Sequence, residues 1–142
     1  MNGRPTPAIA DSSAFVWRIR VYWEDTDAGG IVFYANYLKF FERARTEWLR
    51  SHGIEQHALK QSEGLMFVVT QTQMRHLRPA RLDDELDLTV ALGDVKQASL
   101  TFAQQALHHG NIVAEGEIRV ACVDAHTLRP RRFPTSLMRT LA

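Results

Sequence analysis

Three carboxylates fall within four residues at Glu24, Asp25 and Asp27, and the stretch runs on to Tyr37 as EDTDAGGIVFYANY. This much negative charge before aromatic and aliphatic residues admits three chemistries: a cation loop, a polar turn, or one carboxylate kept for reaction. The cation reading fails on spacing. A calcium loop begun at Asp25 needs an oxygen ligand at its fifth position and a glutamate at its twelfth, and these positions hold Gly29 and Asn36. A transition-metal site wants histidines within reach; the six histidines show no ligand spacing, so no metal is expected. A polar turn stays open, because Asp and Gly are common in turns. Against it stands the place of Asp27, between a strand and a helix start dressed with Ile31, Val32, Phe33 and Tyr34. A carboxylate among such residues is partly desolvated. Free N–H groups at the helix start can hold an anion or a polarised carbonyl oxygen. A carboxylate and an oxyanion site facing one small volume suit acyl transfer.

The elements that would position these groups follow from periodicity. FVWRIRVYWE, Phe15 to Glu24, alternates bulky and polar residues and is rich in β-formers, which predicts a strand. From Ala35 to about His52, residues Tyr37, Phe40, Phe41, Ala44 and Trp48 recur on one helical face, widened by Leu38 and Leu49. The opposite face carries Lys39, Arg43, Thr46 and Arg50 and is expected in solvent. Arg45 falls inside the apolar arc, where an unpaired charge is costly; Glu42 is one candidate partner, and Arg45 reads as structural, bracing the acidic turn or a subunit interface. Gly53 stops the helix, and IEQHALKQ suggests a short second one. Four strands are then expected at Leu65–Leu77, Glu85–Leu92, Gln97–His108 and Ile112–Val123. LGDVKQ and HHGN make hairpin-type breaks, while RPARLDD makes a longer connection in which Pro79 blocks strand continuation. Strand, long helix and four successive strands give an α+β architecture, read as an antiparallel meander curling around one helix. Its open edges predict pairing between subunits.

The chain of 142 residues, 45% of them hydrophobic, suits one domain over 14–142 after a leader at 1–13. The leader has no long apolar core, so neither a signal peptide nor a membrane anchor is expected. A formal net charge of +1 gives no pull toward nucleic acid or a membrane surface. Cys122, the single cysteine, lies in the apolar run IRVACV and reads as a buried, inert thiol in a cytoplasmic protein.

VYWEDTDAGGIVFYANYLKFFERARTEWLR resembles the signature of the hotdog-fold thioesterases of the 4-hydroxybenzoyl-CoA thioesterase type. It is most similar to their bacterial branch, the acyl-CoA thioesterase associated with the Tol-Pal system. The resemblance continues through FVV (Phe67–Val69), PARLDD (Pro79–Asp84), SLTF (Ser99–Phe102) and ACVD (Ala121–Asp124). It implies a hotdog fold, one long helix wrapped by a curved antiparallel sheet, in a homodimer or homotetramer. It implies that Asp27 matches the catalytic aspartate, as nucleophile or as general base for water. Tyr34 matches the residue whose backbone N–H polarises the thioester carbonyl, and Phe33 is a candidate for the acyl pocket. No cofactor is implied, since coenzyme A belongs to the substrate; an acyl-carrier protein is the other thioester carrier to consider.

Coenzyme A carries phosphates that call for cations near the entrance. Lys96 and Ser99, around VKQAS, and Arg131, in the basic run RPRR, are the candidates. Two other functions compete. One is a noncatalytic module of the same fold that holds acyl-CoA or acyl-carrier protein; retention of Asp27 argues against it. The other is a hydratase or dehydratase, which works with a histidine and an acid, and the opening motif holds no histidine.

Overall fold

The computed structural model describes residues 15–141; the expected leader at 1–13 lies outside them. Five strands form one antiparallel sheet: β1 Phe15–Arg20, β2 Leu65–His76, β3 Glu85–Val95, β4 Ser99–His108 and β5 Asn111–Asp124. Three helices accompany them, α1 Asn36–Ser51, α2 Gln56–Glu63 and α3 Thr135–Leu141. The strand order is β1-β3-β4-β5-β2, with every neighbouring pair antiparallel.

Two expectations need correction. The first strand stops at Arg20, and Trp23–Asp25 instead form a 3-10 turn, because Asp25 draws the backbone of Tyr22 onto its own carboxylate. The strands also do not run as one meander. Only β3, β4 and β5 do so; β2 leaves the sequence order to pair with β5 at the far edge, Leu65 opposite Asp124 and His76 opposite Ala114. The connection after His76, with Pro79 unable to donate to a ladder, carries the chain across to β3. Within β2 the register shifts between Val69 and Gln71, so Thr70 is an extra, bulged residue.

The helical stripe forms the core as its spacing predicts. Phe40, Phe41 and Ala44 are fully buried against Leu86 and Leu88 of β3, with Tyr37, Trp48 and Leu49 beside them. Leu38 is the exception and stays exposed, since at about 100° per residue it sits at the margin of the arc. Each buried aromatic ring contributes on the order of 2–3 kcal/mol by leaving water, so α1 is fixed by the sheet rather than by its own caps. Its N-cap, Ala35, makes no side-chain capping bond. Gly53 and Gly64, at φ 78° and 67°, end α1 and α2 in the left-handed conformation that glycine adopts without penalty.

Candidate active site

The acidic stretch folds back on itself before α1 begins. Thr26 bridges Val32, Asp27 N–H donates to Ile31 O at 2.9 Å, and Gly30 N–H donates to Asp27 O at 3.0 Å. Gly30 carries the tight reversal at φ 79°. Val32 N–H reaches Ala80 O at 2.8 Å, which ties the loop to the connection before β3.

Within this loop the two aspartates have separate surroundings. Asp25 is buried, and its carboxylate accepts from Tyr22 N–H and from Asn36 Nδ2, both at 2.8 Å. Its carbonyl accepts from Phe33 N–H at 3.0 Å. Asp25 therefore clamps the entry to α1, as expected of a turn-building residue. Asp27 is exposed. Its Oδ1 accepts from Gly29 N–H at 2.8 Å, and among the described residues its Oδ2 has no hydrogen-bond partner. At the helix start, Asn36 N–H donates to Phe33 O at 2.8 Å, whereas the N–H groups of Tyr34 and Ala35 donate to nothing among the described residues. These are the unsatisfied donors of a helix N-terminus, and the peptide dipoles behind them favour negative charge there.

The loop and the helix start also carry exposed aromatic rings. Tyr22, Trp23, Phe33 and Tyr34 are all exposed, Trp23 at 78%. Phe33 packs on Tyr34 with ring centroids 4.9 Å apart. His76, at the end of β2, stands 6.0 Å from the Tyr34 ring and 5.6 Å from that of Tyr37. Periodicity gave no role to His76, because its neighbours come from an element far away in sequence. The Tyr37 hydroxyl is pushed up to about 12 by burial and by the charge of Asp84, so it stays protonated at neutral pH.

The candidate coenzyme A contacts lie elsewhere. Lys96 is exposed in the β3–β4 turn, its N–H donating to Ser99 O at 2.7 Å. Ser99 pairs with Ala121, and Arg131 N–H donates to Cys122 O at 2.9 Å, so the end of β5 brings all three to one end of the sheet. That end is opposite to Asp27: the acidic loop adjoins the start of β3, through Val21 N–H to Asp84 O, and Lys96 follows the finish of β3. Arg131 also holds Asp124 Oδ2 at 3.1 Å. The Asp124 carboxyl is pushed down to about 2, first by the Thr127 and His126 N–H groups and further by Arg131. Arg45 also departs from its candidate pairing. It does not pair with Glu42 but donates from Nη1 to Gln104 Oε1 at 3.0 Å, while Glu42 is taken by the Thr46 hydroxyl at 2.9 Å. Cys122 is fully buried, and burial pushes its thiol up, so it is no nucleophile. Among the described residues no group of three or more His, Cys, Asp or Glu could hold a metal ion, and no helix is long and apolar enough to cross a membrane.

Residues 21–141 match the thioesterase-like superfamily. The chain belongs to this superfamily. It is 42% identical over 129 residues to the acyl-CoA thioester hydrolase YbgC of Escherichia coli O6:H1, covering 90% of this chain and 96% of that one. It is 40% identical over 122 residues to the acyl-CoA thioesterase YbgC of Haemophilus influenzae, covering 86% and 90%. Among solved structures it superposes on a probable thioesterase from Bartonella henselae with a TM-score of 0.82 at 32% identity, covering 86% of this chain and all of that one. A 1,4-dihydroxy-2-naphthoyl-CoA thioesterase from Synechocystis, at 15% identity and a TM-score of 0.84, shares the fold. The sheet wrapped on α1 is thus the hotdog fold of the thioesterase-like superfamily, as the signature around Asp27 implied.

Proposed function

We propose that this chain hydrolyses the thioester of a short-chain or aromatic acyl-CoA to the free acid and coenzyme A, with Asp27 as its working carboxylate. The observation that carries the reading is the pairing of a half-free Asp27 carboxylate with unsatisfied N–H groups at the start of α1. The Tyr34 N–H polarises the thioester carbonyl and holds the negative charge that grows on its oxygen. As nucleophile, Asp27 Oδ2 bonds to the acyl carbon, the C–S bond breaks, coenzyme A leaves as thiolate, and water opens the mixed anhydride. As general base, Asp27 takes a proton from water, whose oxygen attacks the acyl carbon instead. Single-turnover hydrolysis in heavy-oxygen water labels the Asp27 side chain only along the first route. A thiolate leaves readily, so neither route needs a metal or an organic cofactor.

One protomer does not assemble this site alone, since Lys96, Ser99 and Arg131 lie at the end of the sheet away from Asp27. β2 is a twelve-residue edge strand with its outer backbone groups unpaired in the sheet, and such an edge invites pairing. Two-fold pairing of β2 with β2 of a second copy sets the His76 end of one against the Leu65 end of the other. Leu65 lies opposite Asp124, beside Arg131, so the pairing carries the basic end of one protomer toward Asp27 of the other. A homodimer, alone or doubled into a homotetramer, acting on acyl-CoA in the cytoplasm fits these features. An acyl-carrier-protein thioester would meet the same acid.

The deciding experiment is thiol release from an acyl-CoA panel by the native chain and by Asp27→Asn. Turnover is expected to fall about 10²–10⁴-fold with the fold retained. Near-native turnover by a folded Asp27→Asn variant sinks the assignment, and absence of turnover by the native chain on every thioester favours a noncatalytic binding module.

A further inference from the structure

The free N–H groups of Tyr34 and Ala35 sit on a turn that is fastened on its near side and loose at its centre. Phe33 N–H is tied to Asp25 O at 3.0 Å, whereas the bond that closes on Tyr34, from Tyr37 N–H to Tyr34 O, is long at 3.4 Å. Ala35, the N-cap of α1, makes no side-chain capping bond. The Tyr34 side chain is 64% exposed, while Tyr37, one turn later, is 3% exposed. A donor for a growing oxyanion must be held to about 0.5 Å by groups that are themselves fixed.

Tyr34 has two ring contacts among the described residues. Phe33, 4.9 Å away, belongs to the same turn and is itself exposed. His76 comes from outside the turn, edge-on to Tyr34 at 6.0 Å with 87° between the planes. The same imidazole lies 5.6 Å from the ring of Tyr37, which stands edge-on to the fully buried Phe40 at 5.8 Å. A path of rings thus runs from the core through Tyr37 and His76 to Tyr34.

The imidazole stands on fixed backbone. His76 pairs with Ala114 of β5, and the N–H groups of Leu77 and Arg78 both donate to Val113 O, at 2.9 and 3.2 Å. Phe67 and Val69, before the register shift in β2, line a cavity of about 160 Å³ under α1; His76, beyond the shift, does not. Among the described residues no carboxylate lies within ion-pairing distance of His76, so none turns the ring away from the tyrosines.

We propose that His76 is a positioning residue for the reaction: its ring, set against both Tyr34 and Tyr37, holds the Tyr34 peptide where its N–H meets the thioester oxygen. The proposal rests on the reading of the Tyr34 N–H as oxyanion donor. His76 works here as a ring and not as an acid or base. Edge-on ring contacts need no proton, so a phenyl ring can replace the imidazole.

The test compares the full chain with His76→Ala and His76→Phe, both expected to fold because His76 is exposed. Amide order parameters at Tyr34 and Ala35 are read beside steady-state kinetics on a thioester that the native chain turns over. In His76→Ala the order parameters are expected to fall from about 0.85, a rigid backbone, toward about 0.6. Its kcat is expected to drop about tenfold with KM within about twofold, since a misplaced donor weakens the transition state more than substrate binding. His76→Phe is expected to keep the native order parameters and kcat. His52→Ala is the control, because His52 stacks on Trp48 at 4.3 Å near the far end of α1; its loss is expected to lower the melting temperature and spare kcat. Unchanged order parameters in His76→Ala overturn the inference, as does an unchanged kcat. An equal loss of kcat in His76→Phe or in His52→Ala overturns it as well. Absence of turnover by the native chain on every thioester defeats the thioesterase reading instead, and the order parameters then decide for His76 alone.

Discussion

Replacing Asp25 by alanine removes the acceptor of one buried and one part-buried bond and leaves Tyr22 N–H and the Asn36 amide without it. A loss of about 2–4 kcal/mol is expected in denaturant unfolding, and a loss below about 1 kcal/mol would contradict the clamp described for Asp25. Asp27→Asn is expected to leave the unfolding midpoint near its native value, because Asp27 is exposed and Asn Oδ1 can still accept from Gly29. A methyl group at Gly29 would stand 3.2 Å from Asp27 Oδ1. Gly29→Ala is therefore expected to push the carboxylate aside and lower turnover about tenfold with little change in stability; steady-state kinetics beside a melting curve separates the two. At this scale Asp27 was singled out by the resemblance around it and not by local physics, and the partly desolvated setting expected for it is not found, since Asp27 is exposed. The sequence was silent on His76 and on Gln104 under Arg45. Their partners are set by how the strands pair, and no local period carries that.

The long helix was legible because a buried face must repeat at helical spacing, and Phe40, Phe41, Ala44 and Trp48 do so. Strand boundaries were close for the same reason, but strand order was not: β2 and β5 meet through a crossover that local patterning does not encode. The turn after β5 gives a prediction of its own. Asp124 binds the His126 and Thr127 N–H groups at 2.8 and 2.9 Å through Oδ1, and its carboxyl is lowered from 3.8 to about 2. Its contribution is thus fully present above about pH 4 and is lost as the pH falls through about 2. Amide protection at His126 and Thr127, taken relative to the intrinsic exchange rate at each pH, should fall across that window and be flat above it. Loss of protection already at pH 6 would point to another group.

For the whole molecule, the proposed assembly through β2 can be tested by mixing two chains that each lack one part of the site. Asp27→Asn protomers and Lys96→Ala/Arg131→Ala protomers each lack one part of every site as homodimers, whereas a mixed dimer carries one complete site. Random mixing is expected to restore about a quarter of native turnover. No recovery would mean that each site is built within one protomer. The α+β class followed from element order, whereas the proposed pairing of edges needed the strand order first.

The bulge at Thr70 has a consequence for how β2 shares out its side chains. Before it, odd positions face inward: Phe67 and Val69 line the cavity under α1. After it the parity reverses, so that Gln71 and Gln73 lie with Glu117 and Arg119 on the outer face of the sheet, and His76 comes to the rings of Tyr34 and Tyr37. A strand of strict alternation could not do both. Straightening the bulge with Thr70 kept in the ladder would turn His76 outward and Gln73 inward, whereas deleting Thr70 would place Gln71 directly after Val69 and leave both on their present faces. One surplus residue thus works as a phase shift, letting a single strand wall an apolar cavity at one end and bring a ring against Tyr34 and Tyr37 at the other.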